Sequence, residues 1–128
     1  MQPTTVAPCD RWGDDAPFIR EILGQIGGKW TVLIIGTLAS GPLRYSELLA
    51  RIPGISQRML TVTVKELQRD GVVTRTAYAE VPPRVEYELT NLGESLLSIV
   101  LDMAQWAAEH QDEIRHNREQ FPAKAAVE

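Results

Sequence analysis

Apolar side chains recur at three- and four-residue intervals over most of this chain and switch to alternation in one short stretch. That pattern predicts helices interrupted by a single β-hairpin. Asp14-Asp15-Ala16-Pro17 starts the first helix, with Asp as N-cap and Pro in the first turn. Phe18, Ile19, Ile22, Leu23 and Ile26 form its apolar face, and Gly27-Gly28 ends it. A second helix runs from about Lys29 to Ala39, with Trp30, Leu33, Ile34 and Leu38 directed inward, until Ser40-Gly41-Pro42 stops it. Leu43-Arg44 has the length of a strand stub. Ser46–Ile52 reads as a short helix carrying Leu48, Leu49 and Ile52, and Pro53-Gly54 as a turn. Ser56 then caps a helix that reaches Asp70, where Gly71 breaks it.

After Gly71 the period changes. Val72–Tyr78 is rich in β-branched residues, and Arg84–Leu89 places Val85, Tyr87 and Leu89 on one face and Arg84, Glu86 and Glu88 on the other; both read as strands. The connection between them holds Pro82-Pro83, whose fixed φ stiffens the hairpin tip. Thr90 caps a last helix in which Leu92, Leu96, Ile99, Val100, Met103, Ala107 and Ile114 keep helical spacing for about seven turns. Two helices joined by a tight turn, after a preceding helix and before a hairpin, make a helix-turn-helix with a wing. The expectation is therefore a mainly α, winged helix-turn-helix fold. It has an arm over residues 1–13, a domain over 14–122 that includes the long last helix, and a tail over 123–128.

Charge changes the picture of that fold. The chain has 128 residues and a net charge of −4, which argues at first against a nucleic-acid partner, because phosphate binding is largely electrostatic. Between Leu43 and Arg75, however, six basic residues face three acidic ones, a local +3 that leaves −7 for the remainder. A basic middle acts locally, within a screening length of about 8 Å. Solvated helix faces would show the same tally.

The helix from Ser56 to Asp70 separates these readings. At 100° per residue Leu60, Thr63, Val64 and Leu67 share one face, while Arg58, Val62, Lys65 and Arg69 lie opposite, with Thr61 at their edge and Gln57 in the first turn. An outward valine among cations suits a helix in the major groove, where it can meet a thymine methyl; on a solvated helix it is a stray apolar residue. Arg58 has the planar fork that matches guanine O6 and N7, and Gln57 and Thr61 are the other candidates for base edges. Arg44, Ser56, Lys65, Arg69 and, on the wing, Arg84 are candidates for the phosphates or, for Arg84, the minor groove. Double-stranded DNA is the partner these residues imply.

Several motifs resemble one family. Ile26-Gly27-Gly28-Lys29-Trp30, Pro53–Thr61, Asp70-Gly71-Val72-Val73, Pro82–Tyr87 and Leu89-Thr90-Asn91-Leu92-Gly93 are similar to those of the HxlR family of bacterial winged helix-turn-helix regulators, MarR-like in type. The resemblance implies a homodimeric transcription regulator on a pseudo-palindromic operator. It also implies that the helix at 56–70 is the recognition helix and that the first and last helices build the dimer. A helix of about seven turns on so small a domain leaves an apolar stripe with nothing of its own to cover it. Leu96, Val100, Met103, Trp106 and Ala107 are the expected interface, with Phe121 near its end. Many family members resemble a pattern in which a cysteine precedes proline about ten residues before the Gly-Gly pair. Here Ala16-Pro17 stands near that place, and the only cysteine, Cys9, is followed by Asp10. A neighbouring carboxylate disfavours the reactive thiolate, so Cys9 is expected to be a spectator rather than a redox sensor.

Composition closes off other classes. Hydrophobic residues make up 44% and charged residues 23%, ordinary for a globular domain. The longest apolar run, Thr31–Leu38, is far short of the roughly 20 residues of a membrane span. With one cysteine and no signal pattern at the N-terminus, the expected compartment is the cytoplasm. His110 and His116 face different ways on a helix, so no metal site is expected. No phosphate-binding loop, dinucleotide fingerprint or nucleophile–base pair occurs, so neither a cofactor nor enzyme activity is expected. Two rival readings remain open here: a sensor with a pocket for a small-molecule effector between the long helix and the core, and an interaction module that no longer binds DNA.

Overall fold

The computed structural model describes residues 11–122. A 3₁₀ turn over Gly13–Asp15 leads into α1 (Ala16–Ile26), with Pro17 in its first turn. Asp15 occupies the N-cap position but its side chain makes no capping bond; the first amide of the helix, Ala16 N–H, donates to the Gly13 carbonyl of the preceding turn instead. Gly27 and Gly28 turn the chain into α2 (Lys29–Thr37), which tightens to a 3₁₀ turn at Leu38–Ser40. The stub β1 (Leu43–Arg44) precedes α3 (Tyr45–Arg51). Gly54 supplies the positive φ, +86°, that the turn into α4 (Gln57–Arg69) requires.

Gly71, at φ +79°, ends α4 and sends the chain into the antiparallel pair β2 (Val73–Tyr78) and β3 (Arg84–Leu89). The sheet order is β1-β3-β2, with Leu43 opposite Tyr87 and Val73 opposite Leu89. The short stub thus pairs, and the wing has three strands. Thr90 caps α5 (Asn91–Gln120): its Oγ1 accepts from Gly93 N–H at 3.1 Å and donates back to the Gly71 carbonyl. Gly93 lies so close to the Val72 carbonyl oxygen that any Cβ there would overlap it. The start of the long helix is thereby fastened to the end of α4.

One core joins these elements: Ile34, Ile35 and Leu38 from the second helical segment, Leu48 from α3, Leu60, Val64 and Leu67 from α4, Val73 and Leu89 from the strands, and Leu97 and Val100 from α5. Burial distinguishes residues that the apolar pattern alone does not. Leu33 is 42% exposed and Ile35 takes its place, because α2 is apolar almost all round and its periodicity selects no face. Phe18 and Leu23 on α1 are exposed, so the apolar face of that helix is largely uncovered. Val100, expected at a subunit interface, is only 3% exposed and belongs to the core of its own chain. Beyond Val100 no residue of α5 is buried. This helix of 30 residues is about 45 Å long at 1.5 Å per residue, and its second half projects past the core.

Candidate nucleic-acid interface

The interface is built on α4. Ser56 Oγ accepts from the Met59 amide at 3.0 Å, which fixes where the helix begins. Leu60, Thr63, Val64 and Leu67 anchor it to the core, so Arg58, Val62, Lys65 and Arg69 point outward, as their spacing required. Val62 is 45% exposed on this basic face.

A clamp between residues distant in sequence joins α3 to α4. The Tyr45 hydroxyl donates to the Gln57 carbonyl at 2.9 Å. It also lies 2.9 Å from Thr61 Oγ1. Since its one proton goes to Gln57, Thr61 is the donor in the second bond. The Thr61 hydroxyl is therefore occupied inside the protein, and its methyl is the part left for a base edge. Tyr45 stands 12 and 16 residues from these partners, and no local pattern announces such a contact.

Ion pairing divides the candidate cations into two groups. Arg69 makes a bidentate pair with Asp70, at 3.0 and 3.2 Å. With the Gln25 amide oriented to satisfy both neighbours, its nitrogen donates to Asp70 Oδ2 at 3.1 Å and its oxygen accepts from Arg69 at 2.8 Å. Arg84 pairs with Glu80 at 2.8 Å and Glu86 at 2.7 Å, and its guanidinium lies 3.9 Å from the centre of the Tyr78 ring. The hydrogen bond to Asp70 raises the pKa of Arg69, and that to Glu80 raises the pKa of Arg84. A raised basic pKa stabilises the fold below the ordinary arginine value and is lost only at strongly alkaline pH, so both stay charged and paired near neutrality. Arg44, Arg58, Lys65 and Arg75 make no ion pair among the described residues. Arg75, on β2, joins Lys65, Gln68 and Arg69 around an open notch between α4 and β2.

Arg44 is exposed just before α3, where its backbone N–H is held by Glu47 at 2.8 Å. Leu96 is half-buried, whereas Met103, Trp106 and Ala107 are exposed. The Trp106 ring stacks on His110 with centroids 4.7 Å apart. Cys9 lies outside the described residues. Among the described residues no single helix is long and apolar enough to cross a membrane.

A capped helix with a buried apolar face and a basic outward face, clamped to a preceding short helix and followed by a wing, defines a winged helix-turn-helix transcriptional regulator of the DNA-binding kind. The chain belongs to the HxlR-like helix-turn-helix family, which matches residues 25–115. An uncharacterised HTH-type transcriptional regulator from Methanothermobacter thermautotrophicus is 42% identical over 115 residues, 88% of either chain. Among solved structures, ytfH from Salmonella typhimurium, described as a candidate transcriptional regulator, aligns with a TM-score of 0.74 at 36% identity. The alignment covers 80% of this chain and 91% of that one. The redox regulator HypR in its reduced form aligns with a TM-score of 0.71 at 40% identity, over 77% of this chain and 97% of that one.

Proposed function

We propose that the protein acts as a homodimer that places two α4 helices in successive major grooves of a pseudo-palindromic operator. The observation that carries this reading is the outward face of α4, where Arg58, Val62 and Lys65 are exposed, the two cations have no acid partner among the described residues, and the opposite face is locked in the core. Arg58 reads a guanine, Gln57 a base edge in the same turn, and Val62 with the Thr61 methyl a thymine methyl. Lys65 and Arg44 hold phosphates and set the register. Ser56, as N-cap, leaves the first amides of α4 facing the same backbone. Arg84, expected at the minor groove, stiffens the wing through its two carboxylates instead, and Arg69 is held by Asp70.

The dimer reading rests on the uncovered apolar residues at either end of the chain. Phe18 and Leu23 on α1, and Met103, Trp106 and Ala107 on α5 beyond its last buried residue, are exposed. Leu96 is half-buried and Val100 is buried in the core of its own chain. Half-sites would then lie about 34 Å apart, one duplex turn. Sedimentation velocity at micromolar concentration, alongside a gel-shift titration against the promoter region beside the protein's own gene, tests both parts. A dimer that shifts this DNA in a salt-sensitive way supports the reading; a monomer, or binding indifferent to sequence, removes it.

A further inference from the structure

The tip of the wing carries no free positive charge. Arg84 is the cation nearest the turn, and Glu80 and Glu86 hold it over the Tyr78 ring. Over Val73–Leu89 the hairpin sets Arg75 and Arg84 against Glu80, Glu86 and Glu88. A tip with that balance is not drawn toward phosphate.

The other wing cation stands at the base. Arg75 lies opposite Tyr87, three residues before Tyr78 and so about 10 Å from it along the strand. Alternation puts Arg75 on the face that carries Val73, Tyr87 and Leu89, whereas Arg84, Glu86 and Glu88 fall on the other. The acids of the hairpin strands are thus on the far side of the sheet from Arg75. Arg75 is exposed and makes no ion pair among the described residues.

Across from it is α4. Lys65, Gln68, Arg69 and Arg75 line the open notch between the two elements, and no carboxylate is among them. Arg69 is turned onto Asp70, which leaves Lys65 and Arg75 to set the charge of the notch. The Gln68 amide adds N–H donors. Carbonyls at the end of α4 would repel an anion, but they are taken. Those of Glu66, Leu67 and Gln68 accept from the amides of Asp70, Val72 and Gly71 at 3.0, 2.8 and 3.1 Å. The notch therefore offers two cations and an amide donor to one small anionic group.

Duplex geometry names that group. A helix in the major groove and a wing beside it lie on either side of one sugar–phosphate strand, so that strand crosses the gap between them. We infer that a backbone phosphate of duplex DNA sits in the notch between α4 and β2, held by Arg75 and Lys65 with Gln68, so that the wing grips DNA at its base and not at its tip. This rests on the reading of α4 as the groove helix and adds Arg75 and Gln68 to it.

The test is an anisotropy titration of the full chain with the promoter region beside its own gene and with a scrambled duplex, followed by a scan of operators that each carry one uncharged methylphosphonate. Arg75→Ala should weaken both unmodified duplexes roughly tenfold at about 0.1 M salt and lower the salt slope by about one. Arg75→Lys should regain most of that loss, because a phosphate is held by charge. In the scan, wild type should be sensitive at one phosphate per half-site where Arg75→Ala is indifferent, while Arg84→Gln keeps the wild-type pattern. An Arg75→Ala variant with wild-type slope and wild-type scan overturns the inference. So does a loss confined to the operator, which would make Arg75 a base reader. An Arg84→Gln variant that silences a phosphate overturns it as well, by placing the tip on the backbone. A wild-type chain that binds neither duplex refutes the groove reading and the notch together, whereas operator binding that needs Arg58 but not Arg75 refutes the notch alone.

Discussion

The Tyr45 hydroxyl bonds to both the Gln57 carbonyl and the Thr61 hydroxyl, each at 2.9 Å, and so joins the two helices of the helix-turn-helix at one atom. Because Gln57 and Thr61 flank Arg58, this atom also sets how the reading face of α4 is presented. Tyr45→Phe should lower stability by about 1 kcal/mol, measured by urea denaturation. It should also weaken operator binding by more than that loss of folded protein explains. A variant with wild-type operator affinity would show that the clamp does not orient α4.

The wing carries a cation that its own acids hold back. Arg84 sits between Glu80 and Glu86 over the Tyr78 ring. Glu80→Gln removes one restraint and one negative charge from the wing. The expected result is tighter DNA binding with a salt slope steeper by roughly one phosphate contact, read from anisotropy titrations at several salt concentrations. An unchanged slope would mean that Arg84 serves the hairpin alone.

Gly93 is the tightest point in the fold, with the Val72 carbonyl where a Cβ would stand. Gly93→Ala should destabilise the chain by about 3 kcal/mol, the upper range for overpacking, as measured by thermal unfolding. An alanine variant with the wild-type melting temperature would show that the junction of α5 with the α4–β2 turn can yield.

Much of this was legible along the sequence, and the reasons differ by element. Ser56, Gly71 and Thr90 are local signals, a hydroxyl that caps and a glycine that takes positive φ, and the helix boundaries at these points follow from them. The faces of α4 were legible because its polar and apolar residues segregate cleanly. The face of α2 was not, since Leu33 and Ile35 are alike in hydrophobicity and only the partner elements choose between them. Val100 and Leu97 show the same limit on α5: helical spacing marks a stripe, but not where the core stops covering it. The engagements of Thr61, Arg69 and Arg84 depend on neighbours brought by the fold, or on rotamers that sequence spacing does not fix. Arg69 and Arg84 are ion-paired within the chain, while Arg44, Lys65 and Arg75 have no acid partner among the described residues.

We propose that the outward face of α4 reads base sequence. The most direct test is an anisotropy titration of the operator beside the protein's own gene with wild type, Arg58→Ala and Lys65→Ala, each at several salt concentrations. Arg58→Ala should lose about 1–3 kcal/mol on the operator and relax specificity at one position, whereas Lys65→Ala should weaken all sequences alike and reduce the salt slope by about one. Operator binding by Arg58→Ala equal to that of wild type, with specificity intact, would contradict the account.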